Sequence, residues 1–232
     1  MKGFSRTFLM TAFALLLAYC AFAQVDSVTL RLKSLGIDSN IIEHSFHTDD
    51  GTHYFKMTMN AVSPSANNYT TIEYDPQRDE EKRWQMITFN NDTVSERWAH
   101  DYAKEVNKKR GATVGIHSTS IKSEDTATIV ISFRCDKKNL PDRYTDLSRC
   151  AGFAYINKKT KQIDKEEFTD SSTFRLENMD VKTYTMDRNF SYNEDEQFNQ
   201  LISDDIYMDI YIKDKKGKAT VTYIYSDYKK VK

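Results

Sequence analysis

Glycine, proline and cysteine are all scarce in this chain, and no long hydrophobic run follows its amino-terminal segment. The 232 residues include seven Gly, three Pro and three Cys. Seven glycines leave little room for a glycine-rich phosphate loop, and the sequence contains no G-x-S-x-G nucleophile elbow. Three cysteines cannot form a disulfide-dense scaffold. Because no later stretch approaches ~18 apolar residues, the sequence predicts no transmembrane segment.

An excess of charge of either sign is also missing. The chain carries 33 basic and 34 acidic residues, a formal net charge of −1, and losing Lys2 and Arg6 with a leader would change this only to −3. We therefore expect no affinity for nucleic acid or anionic lipid surfaces. What the chain does have is 14 Tyr and 13 Phe, which favours packed strands over disorder.

Residues 1–23 have the pattern of a secretory signal peptide. Lys2 and Arg6 precede a short apolar run, and Ala21-Phe22-Ala23 fits a small-x-small cleavage site. We expect a single secreted domain over 24–232 that is exported to the periplasm, with an extracellular location as the alternative. The alternative is lipidation at Cys20, which the bulky Tyr19 disfavours.

The two other cysteines, Cys135 and Cys150, would meet an oxidising compartment after export. They are candidates for one disulfide, which would stabilise the fold by up to ~3 kcal/mol. A reduced, buried pair is the equal alternative, because two cysteines without a framework pattern are a weak signal.

Alternating apolar residues predict most of the chain to be antiparallel β-structure. Phe55, Met57 and Met59 recur with a period of two, and so do Ile206, Met208, Ile210 and Ile212. Residues 152–157 and 162–168 flank a Lys-Lys-Thr-Lys turn and predict a hairpin. The strand predicted at 82–90 is apolar on both faces, with Trp84 and Met86 on one and Ile87 and Phe89 on the other. A sheet with this pattern needs cover on each side.

Two helices are predicted between these strands. Ser27–Leu35 has an approximate apolar stripe that Gly36 can end. A second helix over 93–110 begins at Thr93-Val94-Ser95-Glu96, a capping box in which Thr93 and Glu96 satisfy backbone N–H groups. Together the patterns indicate one mainly β (α+β) domain of roughly eight to eleven strands, although a break near 111–125 is an alternative.

Two landmarks in the sequence resemble a group of uncharacterised secreted bacterial proteins with a Y-D-P…R-W…N-G pattern. The first is Tyr74-Asp75-Pro76, then Arg83-Trp84 and Asn90-Asn91, with Asn91 where the group has Gly. The second is the segment 152–163, which also resembles a hairpin of the lipoprotein-carrier (LolA-like) superfamily. The resemblance implies a strongly curved antiparallel sheet, an unclosed β-barrel with one or two helices packed on it, able to hold acyl chains. It carries over no catalytic residue.

The leading functional hypothesis is therefore a non-enzymatic carrier or binding protein for a hydrophobic ligand or a lipoprotein, without a cofactor. Methionine and aromatic side chains adapt to variable apolar ligands. The candidate ligand-binding residues are Phe55, Met57, Met59, Trp84, Met86, Phe89 and Trp98. For each of them a place in the core is the competing interpretation.

Two other classes of function compete with the carrier. His44, His47, Asp49, Asp50 and His53 form a metal-like constellation, so an exported metal-dependent hydrolase is one alternative. An ordinary polar turn explains the same residues, and we assign them no metal. A protein-interaction module with no small ligand is the third hypothesis.

Overall fold

One antiparallel sheet dominates the structure, a computed structural model that describes residues 27–46, 51–107, 114–176, 179–213 and 215–231. The strand order is β4-β3-β2-β1-β12-β11-β10-β8-β7-β6-β5, and β9 pairs with β10. The sheet does not close on itself, which confirms the predicted mainly β fold with an unclosed sheet. Twelve strands over the described residues slightly exceed the predicted number.

The strands are β1 (His53–Ser63), β2 (Ala66–Tyr74), β3 (Trp84–Phe89), β4 (Asp92–Thr93), β5 (Ile116–Glu124), β6 (Thr128–Cys135), β7 (Ala151–Asn157), β8 (Gln162–Asp170), β9 (Phe174–Leu176), β10 (Met179–Asn193), β11 (Phe198–Ile212) and β12 (Lys215–Lys230). The α-helices are α1 (Ser27–Ser34), α2 (Ile41–Ser45) and α3 (Glu96–Asn107). Short 3-10 helices occupy Glu80–Lys82, Lys137–Asn139 and Asp142–Arg149.

The first predicted helix is confirmed together with the glycine that ends it. Gly36 adopts a φ of +66°, and the Ile37 N–H donates to the Leu32 carbonyl at 2.9 Å while the Gly36 N–H donates to that of Lys33 at 3.0 Å. This pair of bonds is a Schellman motif, which glycine favours because it accepts a positive φ without steric cost. The predicted 152–168 hairpin is likewise present as β7 and β8.

The predicted start of the long helix was wrong by three residues. Thr93 belongs to β4, where it pairs with Thr88, and α3 begins at Glu96. The cap is Ser95, whose hydroxyl accepts the Trp98 N–H at 3.4 Å. The polar sequence pattern fits a helix start at either position. Because Thr93 is paired with Thr88 in β4, it cannot also belong to α3. The predicted helix end at 108–110 lies outside the described residues.

Two hydrophobic clusters pack on one face of the sheet, which we call the inner face. The large cluster joins α1, α2 and the Asp142–Arg149 segment to strands β6 to β12. The small cluster lies at the other end of the sheet and consists of Phe55, Met57, Ile72, Tyr74, Trp84, Leu201 and Tyr225. Tyr102 of α3 packs against the small cluster, so helices cover the inner face at both ends.

Candidate functional site

Three charged residues lie on the inner face between the two clusters. Arg188 of β10 is directly opposite Asp204 of β11 and Glu166 of β8. Directly opposite residues project to the same face of a sheet, so the three side chains form one row. All three are fully buried. The interior of the protein therefore contains one cation between two carboxyl groups.

The Arg188 guanidinium is held from several directions. Its Nη1 donates to Glu166 Oε2 at 2.7 Å and its Nε to Asp204 Oδ1 at 3.1 Å. Its Nη2 donates to the Ser45 carbonyl at 3.0 Å. The rings of Phe46 and Tyr144 each lie 4.8 Å from the guanidinium carbon. This side chain thus ties α2 and the Asp142–Arg149 segment to the sheet.

Asp204 is satisfied by hydroxyl groups as well as by the arginine. The Tyr144 and Tyr225 hydroxyls donate to its Oδ2 at 2.7 and 2.9 Å. Arg143 in turn donates to the Tyr225 hydroxyl at 2.9 Å. Such complete partnering is what makes a buried carboxylate tolerable, because an unpaired one costs several kcal/mol.

Glu166 ionises less readily than an exposed glutamate does. Burial raises its pKa, against the opposing effect of Arg188. Its Oε1 lies 2.7 Å from the Ser45 hydroxyl oxygen, and that oxygen also lies 2.7 Å from the Ile42 carbonyl. The hydroxyl has one proton, so both contacts are satisfied fully only when Glu166 supplies a second. We see in this network a structural anchor, since all three charged side chains are fully buried and bonded to one another and to α2.

Six of the seven candidate ligand residues lie on the inner face of the sheet, the seventh, Trp98, lies on α3, and the seven differ in exposure. Phe55, Met57 and Trp84 are buried in the small cluster. Met59, Met86 and Phe89 are half-buried. The Trp98 ring packs edge-on against Phe89 at 5.7 Å between centroids, and 55% of its surface is exposed. Their role in ligand binding stays a prediction.

Phe89 was assigned to the wrong face of its strand. Ile72 pairs with Met86, whereas Thr70 pairs with Phe89, so β3 contains one extra residue at this point. A bulge of this kind shifts the alternation by one position. It turns Phe89 to the face that carries Met86, where it meets Trp98. Residue types alone do not reveal such a register shift.

The half-buried candidates form an incompletely covered apolar surface, which we call the open face. It consists of Met59, Met86, Phe89 and Trp98. Met59 and Phe89 both pair with Thr70, one on each side of it, so the two lie in one cross-strand row. The same row continues through Tyr223 to Asp204 and the buried arginine. The open face is therefore connected through this row to the buried charged residues.

The metal-like constellation is only partly within the described residues; His47, Asp49 and Asp50 lie outside them. His44 is exposed, with its Nδ1 3.0 Å from Asp38 Oδ2. His53 is buried and stacks on Phe198 at 4.0 Å between centroids. In the part of the chain that the structure describes, no three His, Cys, Asp or Glu residues are arranged to hold a metal ion.

Cys135 and Cys150 occur as buried free thiols. Burial raises the pKa of each to about 12, so both stay protonated near neutral pH. Cys20 and the predicted signal peptide lie outside the described residues. Among the described helices, none reaches the length and apolarity that a membrane span requires.

Comparison with known proteins adds little to this description. No protein-family model and no curated protein matches the chain. One of the solved structures that align with it is a DUF1329 family protein from Desulfovibrio piger, at 7% identity over 83% of this chain and 93% of that one. Its TM-score of 0.32 is too low to carry an inference about function. The chain is thus defined by its own features, a mainly β protein with an unclosed sheet and an apolar open face.

Proposed function

We propose that this protein is exported to the periplasm and binds one acyl chain there without catalysis, as a carrier of a lipid or of a lipoprotein's lipid. One observation carries the proposal. Four large apolar side chains on the inner face of β1–β3 and on α3 stay partly exposed, whereas most apolar side chains of the large cluster on the same face are buried. Contiguous apolar surface that is left open marks a binding site in many proteins.

The chemistry of the open face suits a flexible chain. Met59 and Met86 have thioether side chains that adapt to irregular apolar shapes, and Phe89 and Trp98 provide flat surfaces. Each methylene that leaves water contributes ~0.8 kcal/mol, so about twelve would contribute ~10 kcal/mol before the cost of association. An association cost of about 4 kcal/mol or more leaves at most ~6 kcal/mol, which corresponds to a Kd no tighter than about 40 μM.

The two tryptophans allow a direct test. Trp84 is buried and Trp98 is exposed, so the Trp84→Phe variant reports on the open face alone. On titration with sodium dodecanoate below its micelle concentration, Trp98 emission should shift to the blue and saturate. The matched Trp98→Phe variant, which keeps only Trp84, should not respond. No saturable shift in Trp84→Phe, or an equal one in Trp98→Phe, would contradict the proposal.

Substitutions on β1 distinguish binding at the open face from non-specific binding elsewhere on the protein. Met59→Lys places a charge on the open face and should weaken dodecanoate binding at least tenfold. Val62→Lys is the control, because Val62 is on the opposite face of the same strand and is already 39% exposed. Equal binding by both variants would argue against the open face. If Trp84→Phe does not fold, the difference between wild-type and Trp98→Phe emission gives the Trp98 signal.

A further inference from the structure

A cleft of about 500 Å³ lies between α2 and the ends of β8, β10 and β11, away from the open face. Its apolar floor is formed by Ile41, Ile163, Phe190, Phe198 and Leu201, and its polar wall includes Asp38, His44, Gln162, Tyr192, Gln197 and Asn199. The volume is in the range of small-molecule sites. Leu201 also belongs to the small cluster, so the cleft borders that cluster at this residue.

The charges around the cleft do not select an ion. Asp38 is paired with His44 at 3.0 Å, and Lys161 stands at the rim beside Gly36. One acidic and one basic residue therefore offset each other. A ligand with a strong net charge would find no matched field here.

The remaining polar side chains of the lining are amides, the hydroxyls of Ser45 and Thr160, and a phenol, and all of these both donate and accept hydrogen bonds. The Tyr192 hydroxyl donates to Gln197 Oε1 at 2.7 Å, and Asn199 Nδ2 donates to the Ile163 carbonyl at 2.9 Å. These bonds fix the orientation of the side chains. Asn199 Oδ1 is buried and has no hydrogen-bond partner among the described residues.

We infer that this cleft binds a neutral polyhydroxylated ligand, a sugar unit of one or two rings. Such a ligand combines hydroxyl groups with C–H faces, and the cleft lining combines amide groups with the rings of Phe190, Phe198 and Tyr192. The inference is independent of the acyl-chain proposal, because the two sites share none of the residues that define them. The sugar is either free or the terminal unit of a glycan chain.

Ligand-observed saturation-transfer NMR tests the inference with glucose, N-acetylglucosamine and cellobiose as probes. At least one should give saturable transfer with a Kd near 1 mM, typical of a small site with few contacts. A Gln162→Trp variant fills the cleft and should abolish the transfer, whereas Gln85→Trp, at an exposed position on β3, should retain it. Tyr192→Phe should weaken binding several-fold, and Tyr207→Phe on the exposed surface should not.

The outcomes distinguish a free sugar from a glycan chain, and the cleft from the open face. Stronger transfer to cellobiose than to glucose indicates a glycan chain, and equal transfer indicates a free monosaccharide. No saturable transfer from any of the three sugars overturns the inference, and so does transfer that persists in Gln162→Trp. Dodecanoate binding by the Gln162→Trp variant shows that the protein is folded and that the open face is a separate site.

Discussion

The two ends of the sheet use the same inner face in different ways. Around β6 to β11, two helices and a 3-10 segment cover the face, and the Arg188 network bonds to α2 and to the 3-10 segment. Around β1 to β3 the buried cluster is smaller, and α3 leaves Met59, Met86 and Phe89 half-buried. One end is therefore built for a fixed structure and the other retains an apolar surface that a ligand can complete.

The charged row of Arg188, Asp204 and Glu166 marks the boundary between the two ends of the inner face. A buried ion pair is weak evidence for stability in itself, because desolvation offsets much of its attraction. Its directional bonds do fix which segment packs where. We infer that Arg188 specifies the position of α2 and of the Asp142–Arg149 segment, so that the adjoining open face keeps its shape.

Removing the arginine should have the largest effect. Arg188→Met leaves Glu166 and Asp204 buried without their cation, and we expect the free energy of unfolding to fall by about 3–5 kcal/mol. Urea denaturation followed by circular dichroism measures this. Lys165→Met is the control, since Lys165 on β8 has its ion pairs on the half-exposed outer face. Its expected cost is below about 1 kcal/mol, and equal losses would remove the distinction.

Adding a methyl group should distinguish the filled end from the open end. A Cβ on Gly152 would lie 2.7 Å from Phe133 Cζ, so Gly152→Ala should cost about 1–3 kcal/mol. Ala61 lies on the same cross-strand row at the open end and is half-buried, so Ala61→Val should change stability by less than ~0.5 kcal/mol. Thermal unfolding compares the two. Phe133→Leu should relieve the Gly152→Ala cost, and a lack of relief would refute the clash.

The start of α3 should show a smaller effect. Ser95→Ala removes the cap of the helix that bounds the open face and should cost about 0.5–1 kcal/mol. Thr93→Ala should be nearly neutral, because Thr93 is exposed in β4. Denaturation midpoints of both variants check this. A larger loss of stability for Thr93→Ala than for Ser95→Ala would indicate that the helix begins at the predicted capping box.

The smallest expected effect concerns pH. The pKa of Glu166 is higher in the folded state than its ordinary value near 4.5, so the folded protein holds this proton more tightly than the unfolded chain. The resulting stabilisation is present below about pH 4.5 and is lost as the pH rises through the folded-state pKa. Glu166→Gln should lack this decline. The assignment is contradicted if the free energies of unfolding of wild type and variant differ by the same amount at every pH.

Residue patterns predicted the elements of this fold better than the site. The alternation of Phe55, Met57 and Met59 correctly indicated one face, because a strand that is buried on one side must alternate. Phe89 was misplaced, since a bulge depends on how two strands pair. Arg188 and Asp204 lie two residues from Met186 and Ile206, on the apolar face of their strands. A charged residue at such a position is a sign in the sequence of a buried polar network. Their partnership with Glu166 was not predictable without the register of three strands.

Methyl NMR on methionine tests the central claim most directly, because methionines occur at both ends of the inner face. Met59 and Met86 belong to the open face, whereas Met186 and Met208 are buried in the large cluster. With 13C-methyl methionine and sodium dodecanoate, we predict that the Met59 and Met86 signals shift and saturate together while those of Met186 and Met208 stay in place. The absence of any saturable shift, or a shift confined to Met186 and Met208, would contradict the account.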